Sequence, residues 1–283
     1  MRQFEETLYD AICQQFRIDK MYYERKTDHQ HLMIFHNAQL GRVMTLDGVV
    51  QTTEADEFIY HEMMTHVPII SHGDVQRVPI VGGGDGGMLR EVLRHPIEHV
   101  TQVEIDSAVV EMAKEHLPRH SAGAYEDHRL CLVIADGLEF VRDSSDEFDV
   151  VIVDSTDPIG PGEGLFTDEF YTHAKLRLRE GGVLVTQNGV PFFQPDELQT
   201  TYRLLRNHFV DATFYCAPIP TYYGGFMSFG WATDNVRLRS CPLEAIDKRV
   251  EDLELKCRYY NASIHKAAFA LPQYMIDLLD EAL

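Results

Sequence analysis

The sequence predicts an α/β protein in which a Rossmann-like domain follows a small antiparallel β domain. Three observations lead there. Short apolar runs separated by turn residues fill residues 21–52. From Arg77 onward, apolar runs of strand length alternate with helical stretches, the rhythm of a parallel sheet with helices on both faces. A glycine-rich loop, Gly82-Gly83-Gly84-Asp85-Gly86-Gly87, joins the first of these runs to the first helical stretch.

In chain order, the first strands are expected at Met21–Arg25, Leu32–Phe35, Arg42–Leu46 and Val49–Thr52, with Thr27-Asp28, His36-Asn37 and Asp47-Gly48 as punctuation. Asp-Gly between apolar runs is a strong hairpin signal. Thr53-Glu54-Ala55-Asp56 has the pattern of a helix N-cap, and the helix after it carries Phe58, Ile59, Met63 and Val67 on one side. The boundary therefore falls at residues 53/54, with a β-strand domain over 1–53 and the Rossmann-like domain over 54–283. Parallel strands are expected at Val78–Val81, Val100–Val103, Arg129–Ile134, Val150–Asp154 and Val183–Gln187. Helices are expected at Gly87–Arg94, Ala108–His116, Gly137–Arg142 and Thr167–Leu178. Thr213–Ala217 and Met227–Ala232 extend the sheet antiparallel.

The composition excludes several classes. With 283 residues, 45% of them hydrophobic, the chain can bury a full core. No apolar run approaches the roughly 20 residues of a membrane span, and Met1–Asp10 lacks the pattern of a signal peptide. The five cysteines show no paired spacing, as expected for reduced thiols in a cytoplasmic protein; Cys131, in an apolar run, reads as core. The formal net charge is −20. Such a field repels nucleic-acid phosphates and attracts cations, although many acidic enzymes carry charge for solubility alone.

Gly82, Gly84 and Gly87 formally match G-x-G-x-x-G, the dinucleotide fingerprint. Asp85 argues against a pyrophosphate, which it would repel, and for an ammonium or sulfonium. Glu104, ending the next strand, is placed to accept both hydroxyls of a ribose. Asp136 could accept from an adenine amine, with Gly137 leaving room for the ring; it could equally be a helix N-cap. The next strand ends in Asp154-Ser155-Thr156-Asp157-Pro158-Ile159-Gly160-Pro161-Gly162-Glu163, two carboxylates three residues apart on a stiff loop, which reads as a cation clamp. Loops at the carboxyl ends of successive parallel strands converge, so Asp85, Glu104, Asp136 and Asp154 should face one pocket.

These stretches, together with DEFIYHEM at 56–63, PTYYGG at 220–225, KTDHQ at 26–30 and RYYN at 258–261, resemble the spermidine synthase family, particularly its bacterial members, over nearly the whole chain. The resemblance implies a class I methyltransferase-type fold. It implies aminopropyl transfer from S-adenosylmethioninamine, a sulfonium nucleoside, to a diamine such as putrescine. It places Gln30, Glu104, Asp136, Gly137 and Pro161 around the thioadenosine. Tyr60, His61, Asp85, Asp154, Ser155, Thr156, Asp157 and Tyr222 would line the aminopropyl and diamine channels, with Asp154 as proton acceptor. It implies a homodimer or homotetramer, no metal and no cofactor beyond the sulfonium co-substrate; the N-terminal strands are a plausible interface.

The chemistry suits those residue types. A neutral amine displaces a stable thioether, so positioning and proton removal suffice and no nucleophilic Ser or Cys is needed. With an ordinary low carboxylate pKa, Asp154 would act mainly by orientation and transient charge stabilisation. Tyr60 and Tyr222 could offer ring faces to a cationic chain or be packed core. Three other readings compete. An amine N-methyltransferase shares the fold and nearly the same donor, but Asp85 would repel a methionine carboxylate. A non-catalytic polyamine-binding protein would keep the pocket without turnover. A zinc hydrolase is disfavoured because His61 and His66 lie about 140° apart around a helix.

Overall fold

The computed structural model describes residues 2–158 and 160–283; Met1, and Ile159 in the loop after Asp154, lie outside the described residues. Two strands not anticipated, β1 (Gln3–Glu5) and β2 (Gln15–Arg17), pair antiparallel ahead of the expected meander. That meander is β3 (Lys20–Lys26), β4 (His31–Asn37), β5 (Gly41–Leu46) and β6 (Val49–Thr53), in the order β3-β4-β5-β6. The β5–β6 turn is the predicted Asp47-Gly48, with both residues at positive φ, 47° and 82°, as the tightest hairpins require. Alternation along β4 sends its side chains to opposite faces. Met33 and Phe35 pack with Phe4 and Phe16 of the first hairpin. Leu32 and Ile34 pack with Val109, Ala113 and Leu117 near the first long helix of the larger sheet. The small sheet is thus clamped on both faces.

The larger sheet comprises β7 (Arg77–Gly82), β8 (His99–Glu104), β9 (Leu130–Ile134), β10 (Phe148–Asp154), β11 (Leu178–Gln187), β12 (Asp211–Pro218) and β13 (Phe226–Thr233), in the order β12-β13-β11-β10-β7-β8-β9. The run from β11 to β9 is parallel, and β13 and β12 join antiparallel. The strand order reverses at β7/β10, where Asp154 registers opposite Gly82. A crevice opens beyond the strand ends at such a point.

The helices are α1 (Glu57–His72), α2 (Gly87–Val92), α3 (Ser107–His116), α4 (Pro118–Ser121), α5 (Gly137–Asp143), α6 (Asp168–Leu176), α7 (Pro195–His208), α8 (Leu243–Asp252), α9 (Ala262–Ala268) and α10 (Gln273–Glu281). Four expectations need correcting. First, α1 is not buried on one side only: every residue from Ile59 to Ser71 is buried, because the sheet lies on one flank and the C-terminal segment on the other. Second, Asp56 holds the N-cap position of α1 but its carboxylate makes no capping bond; it accepts from the Thr53 hydroxyl at 2.6 Å and from the Thr221 amide and hydroxyl at 2.9 and 2.6 Å, tying the 220–225 loop to the start of the helix. Third, the helix expected over Thr167–Leu178 stops at Leu176, since Leu178 already pairs with Phe148. Fourth, Cys131 is exposed, because β9 is the edge strand. The four C-terminal helices α7–α10 were not anticipated at all; α8 and α9 cover the back of α1, while α10 packs on α7.

Among the described residues, no helix is long and apolar enough to cross a membrane.

Candidate active site

The glycine loop makes the site possible. Gly82, Gly83 and Gly86 have φ of 89°, 67° and 82°, a region in which side-chain-bearing residues are strained. A Cβ on Gly84 would lie 2.7 Å from Glu104 Oε2 and 2.9 Å from Val109 Cγ1. The backbone therefore runs directly beneath the carboxylates, and the Gly84 amide donates to Glu104 at 3.1 Å.

One pocket gathers the strand-end loops. Its wall includes Gln30, Tyr60, His61, Asp85, Glu104, Asp136, Gly137, Asp154, Ser155, Thr156, Asp157, Pro161 and Tyr222, which is every residue that the family resemblance places around the donor and the diamine. Tyr60, His61, Asp85, Glu104 and Gln30 are buried; Asp136, Asp154, Asp157 and Tyr222 are half-buried, and Pro161 is exposed at the rim.

At one end, Glu104 accepts from the Gly84 and Asp106 amides, each at 3.1 Å. Burial, reinforced by the nearby Asp106 carboxylate, still pushes Glu104 up to about 7. Asp136 is indeed the N-cap of α5: its Oδ1 accepts from Leu138 and Glu139 at 2.8 and 3.1 Å. The capping bonds use only one carboxylate oxygen, and the residue also lines the pocket. Gln30 reaches the site from the small β sheet, donating to Asp106 at 3.2 Å beside Thr27, which donates to the same oxygen at 2.6 Å. Asp106, the N-cap of α3, thus fastens the 26–30 segment to the larger sheet, a role its place in the sequence did not reveal.

In the middle, Asp85 Oδ1 accepts from the Gly87 amide at 2.8 Å, and its Oδ2 lies 3.4 Å from His61 Nε2. Burial opposes its ionisation, but the His61 ring outweighs burial and holds the carboxyl well below the ordinary range. Tyr60 donates to Asp154 Oδ1 at 2.6 Å, so its hydroxyl faces the site, while its ring packs on Phe229, with centroids 5.5 Å apart. The expectation of a low pKa for Asp154 fails. Burial pushes it up to about 6, with Asp85 adding to the rise, while His61 and the Tyr60 hydrogen bond only moderate it.

At the far end, Gln187 at the carboxyl end of β11 donates to Asp157 at 2.9 Å. Burial raises Asp157 against that bond. Tyr222 donates to the Gln51 carbonyl, so it bridges the 220–225 loop and the small sheet. Glu6, Leu8 and Tyr9, from the loop joining β1 to β2, also line this end. Sequence reasoning missed them because their strands are only three residues each; Gln187 carried a usable signal, a polar residue ending a buried strand. His66 faces away from the pocket, toward His95 at 2.9 Å and Glu91 at 3.1 Å, so His61 and His66 serve different surroundings.

Asp85, Glu104, Asp154 and Asp157 thus give one pocket a wall of carboxylates, chemistry suited to a cation. Residues 57–242 match the spermine/spermidine synthase domain, and residues 3–54 match the spermidine synthase tetramerisation domain. The chain is 56% identical over 280 residues to polyamine aminopropyltransferase 1 of Pseudomonas aeruginosa, covering 99% of this chain and 98% of that one. It is 57% identical over 279 residues to the polyamine aminopropyltransferase of Shigella sonnei, covering 98% and 97%. Its fold superposes on a spermidine synthase in complex with the transition-state analogue AdoDATO with a TM-score of 0.94, at 36% identity, covering 99% of this chain and 95% of that one. For the spermidine synthase from Thermotoga maritima the TM-score is 0.90, at 35% identity, covering 99% and 94%. With both segments and nearly the full length matched, the chain belongs to the spermine/spermidine synthase family and is an enzyme of the aminopropyltransferase class.

Proposed function

We propose that this enzyme transfers the aminopropyl group of S-adenosylmethioninamine to putrescine, giving spermidine and methylthioadenosine. The observation that carries the reading is the group of carboxylates, Asp85, Glu104, Asp154 and Asp157, gathered from three strand-end loops around one pocket. In this assignment Glu104 accepts from the ribose hydroxyls, Gln30, Asp136, Gly137 and Pro161 surround the thioadenosine, and Asp85 holds the amine of the aminopropyl arm. Tyr60, His61, Ser155, Thr156 and Tyr222 shape the channel, and Asp157 holds the far ammonium of the diamine.

The near nitrogen attacks the propyl carbon next to sulfur. A C–N bond forms, the C–S bond breaks, its electron pair stays on sulfur, and the nitrogen sheds a proton. A free alkylamine is almost wholly protonated at neutral pH and cannot attack. The adjacent sulfonium disfavours a second cation, and Asp154, pushed up to about 6, is better matched to take the proton than an ordinary carboxylate. The reaction needs neither a covalent enzyme intermediate nor an additional cofactor or metal. We further assign the small β domain to residues 1–53 and the catalytic domain to 54–283. The enzyme is proposed to be a homodimer or homotetramer and to work in the cytoplasm without nucleic-acid or membrane partners. Incubation with the donor and a panel of diamines, followed by mass spectrometry, tests the assignment. Methylthioadenosine and spermidine should appear with putrescine. N-methylputrescine from S-adenosylmethionine, or binding without turnover, would refute it.

A further inference from the structure

Glu57 opens α1 within the DEFIYHEM stretch, carries no role in the assignment above, and lines the pocket wall next to His61. His61, one turn later, places Nδ1 2.6 Å from Glu57 Oε2 and Nε2 3.4 Å from Asp85 Oδ2. Both ring nitrogens therefore face carboxylates. An ionised carboxylate only accepts hydrogen bonds, and an imidazole can donate from both nitrogens only when doubly protonated. Glu57 is itself held: Arg90 donates to its two oxygens at 3.3 and 2.9 Å. Arg90 in turn reaches Glu91 at 2.8 Å and the His120 carbonyl at 2.6 Å. The line Arg90–Glu57–His61–Asp85 thus alternates in charge from α2 through α1 to the pocket wall. A side chain at Gly87 would occupy the space of the His61 ring, so the bare helix start lets the ring close the line.

We infer that Glu57 is a positioning residue that keeps His61 a permanent imidazolium, which in turn pins Asp85 as an ionised, oriented carboxylate before substrate arrives. Asp85 is held at one oxygen by the Gly87 amide and at the other by His61, so its direction is set without the ligand. The groups facing His61 from each packed element support this state. Glu57 lies on its own helix, Asp85 on the β7–α2 loop and Asp154 at the end of β10. The neighbouring rings are Tyr60, at a centroid separation of 5.5 Å, and His120 of α4, at 6.3 Å. Burial lowers the His120 ring, against the pull of Asp85 and Glu57, and its Nε2 lies 2.9 Å from the Thr52 hydroxyl. Burial opposes a charge on His61, but Asp85 and Glu57 outweigh it and lift the ring to about 10. Burial would likewise raise Glu57, yet His61 and Arg90 hold it down at about 2.

What pinning Asp85 achieves rests on the proposed reading of Asp85 as the site for the donor amine; the protonation state of His61 does not. The experiment separates the two by reading the ring in the substrate-free enzyme. In ¹⁵N-labelled protein, the His61 signals, identified by their loss in His61→Asn, are followed by two-bond ¹H–¹⁵N correlation from pH 6 to 9. The wild type should show two protonated nitrogens throughout. Glu57→Gln, which removes one carboxylate, should bring the titration midpoint down to between about 6 and 8. Arg90→Met, which spares that carboxylate, should leave the midpoint high. A neutral His61 in the wild type at pH 7 overturns the inference, and needs no variant to be folded. So does a Glu57→Gln midpoint that stays where it was, or an equal fall in both variants, which would mark general loosening of the site.

Discussion

Removing one hydroxyl at Tyr60 should move the pH dependence of the enzyme while leaving its maximum nearly intact. In Tyr60→Phe the ring keeps its contact with Phe229, and only the 2.6 Å bond to Asp154 is lost. That bond favours the ionised carboxylate and is one of the two influences restraining its rise to about 6. A hydrogen bond to a charged group contributes about 1.5 to 3 kcal/mol, and about 1.4 kcal/mol corresponds to one pH unit. The Asp154 titration should therefore move from about 6 to between roughly 7 and 8. At pH 6.5 the wild-type carboxylate is about three-quarters ionised and the variant about 2 to 20%. That predicts a loss of roughly 4- to 40-fold in kcat/KM at pH 6.5 that nearly vanishes by pH 9. The assay is the kcat/KM profile of both enzymes with the same diamine, plotted as a ratio so that ionisation of the substrate amine cancels. A ratio that is flat with pH, or an acid limb that does not move, would refute Asp154 as the titrating base.

Three further outcomes are expected. Asp85→Val should cost the enzyme at least roughly tenfold of its preference for the decarboxylated over the carboxylated sulfonium, well within the about 4 kcal/mol that a charge pair 4 Å apart carries near a protein surface; unchanged discrimination in a competition assay would contradict the role of Asp85 in donor choice. Gly84→Ala should weaken methylthioadenosine binding on the order of ten- to a hundredfold, because the new Cβ would lie 2.7 Å from Glu104 Oε2 and displace it; an unaltered Kd by calorimetry would rule out Glu104 as the ribose acceptor. Glu62→Gln should lower stability in urea by about 1 to 3 kcal/mol, since the Glu62 carboxylate accepts the Arg258, Tyr259 and Tyr260 amides, each at 2.8 Å, and an amide cannot accept from all three as well. Unaltered unfolding would show that the 258–261 segment is not anchored to α1 this way.

Much of this enzyme was legible before any coordinates, because its signals are local. Asp47-Gly48 marks its hairpin wherever the chain goes, and parallel strands buried on both faces read as continuous apolar runs. Acids at or just past the carboxyl ends of strands declare themselves because loops there converge on one crevice, and Asp85, Glu104, Asp136, Asp154 and Asp157 all line the one pocket. Short and surface-led elements were not legible. β1 and β2 are three residues each and exist because Phe4 and Phe16 find Phe35 across the small sheet.

Environment was the other thing that tertiary structure decided. Nothing about Cys131 in its apolar run says that β9 lies at the edge of the sheet, and nothing about Asp56 says that Thr221, 165 residues away, will claim its carboxylate. The same holds for charge. An aspartate carries its ordinary affinity for a proton until the folded chain removes water and sets neighbours beside it. Asp85 and Asp154 are the same residue type on loops of the same pocket, yet His61 drives one down while burial lifts the other. Residue type and spacing determined which groups meet at the crevice; desolvation and the neighbouring charges, which exist only in the assembled fold, decided which carboxyl is held ionised and which is raised toward neutrality.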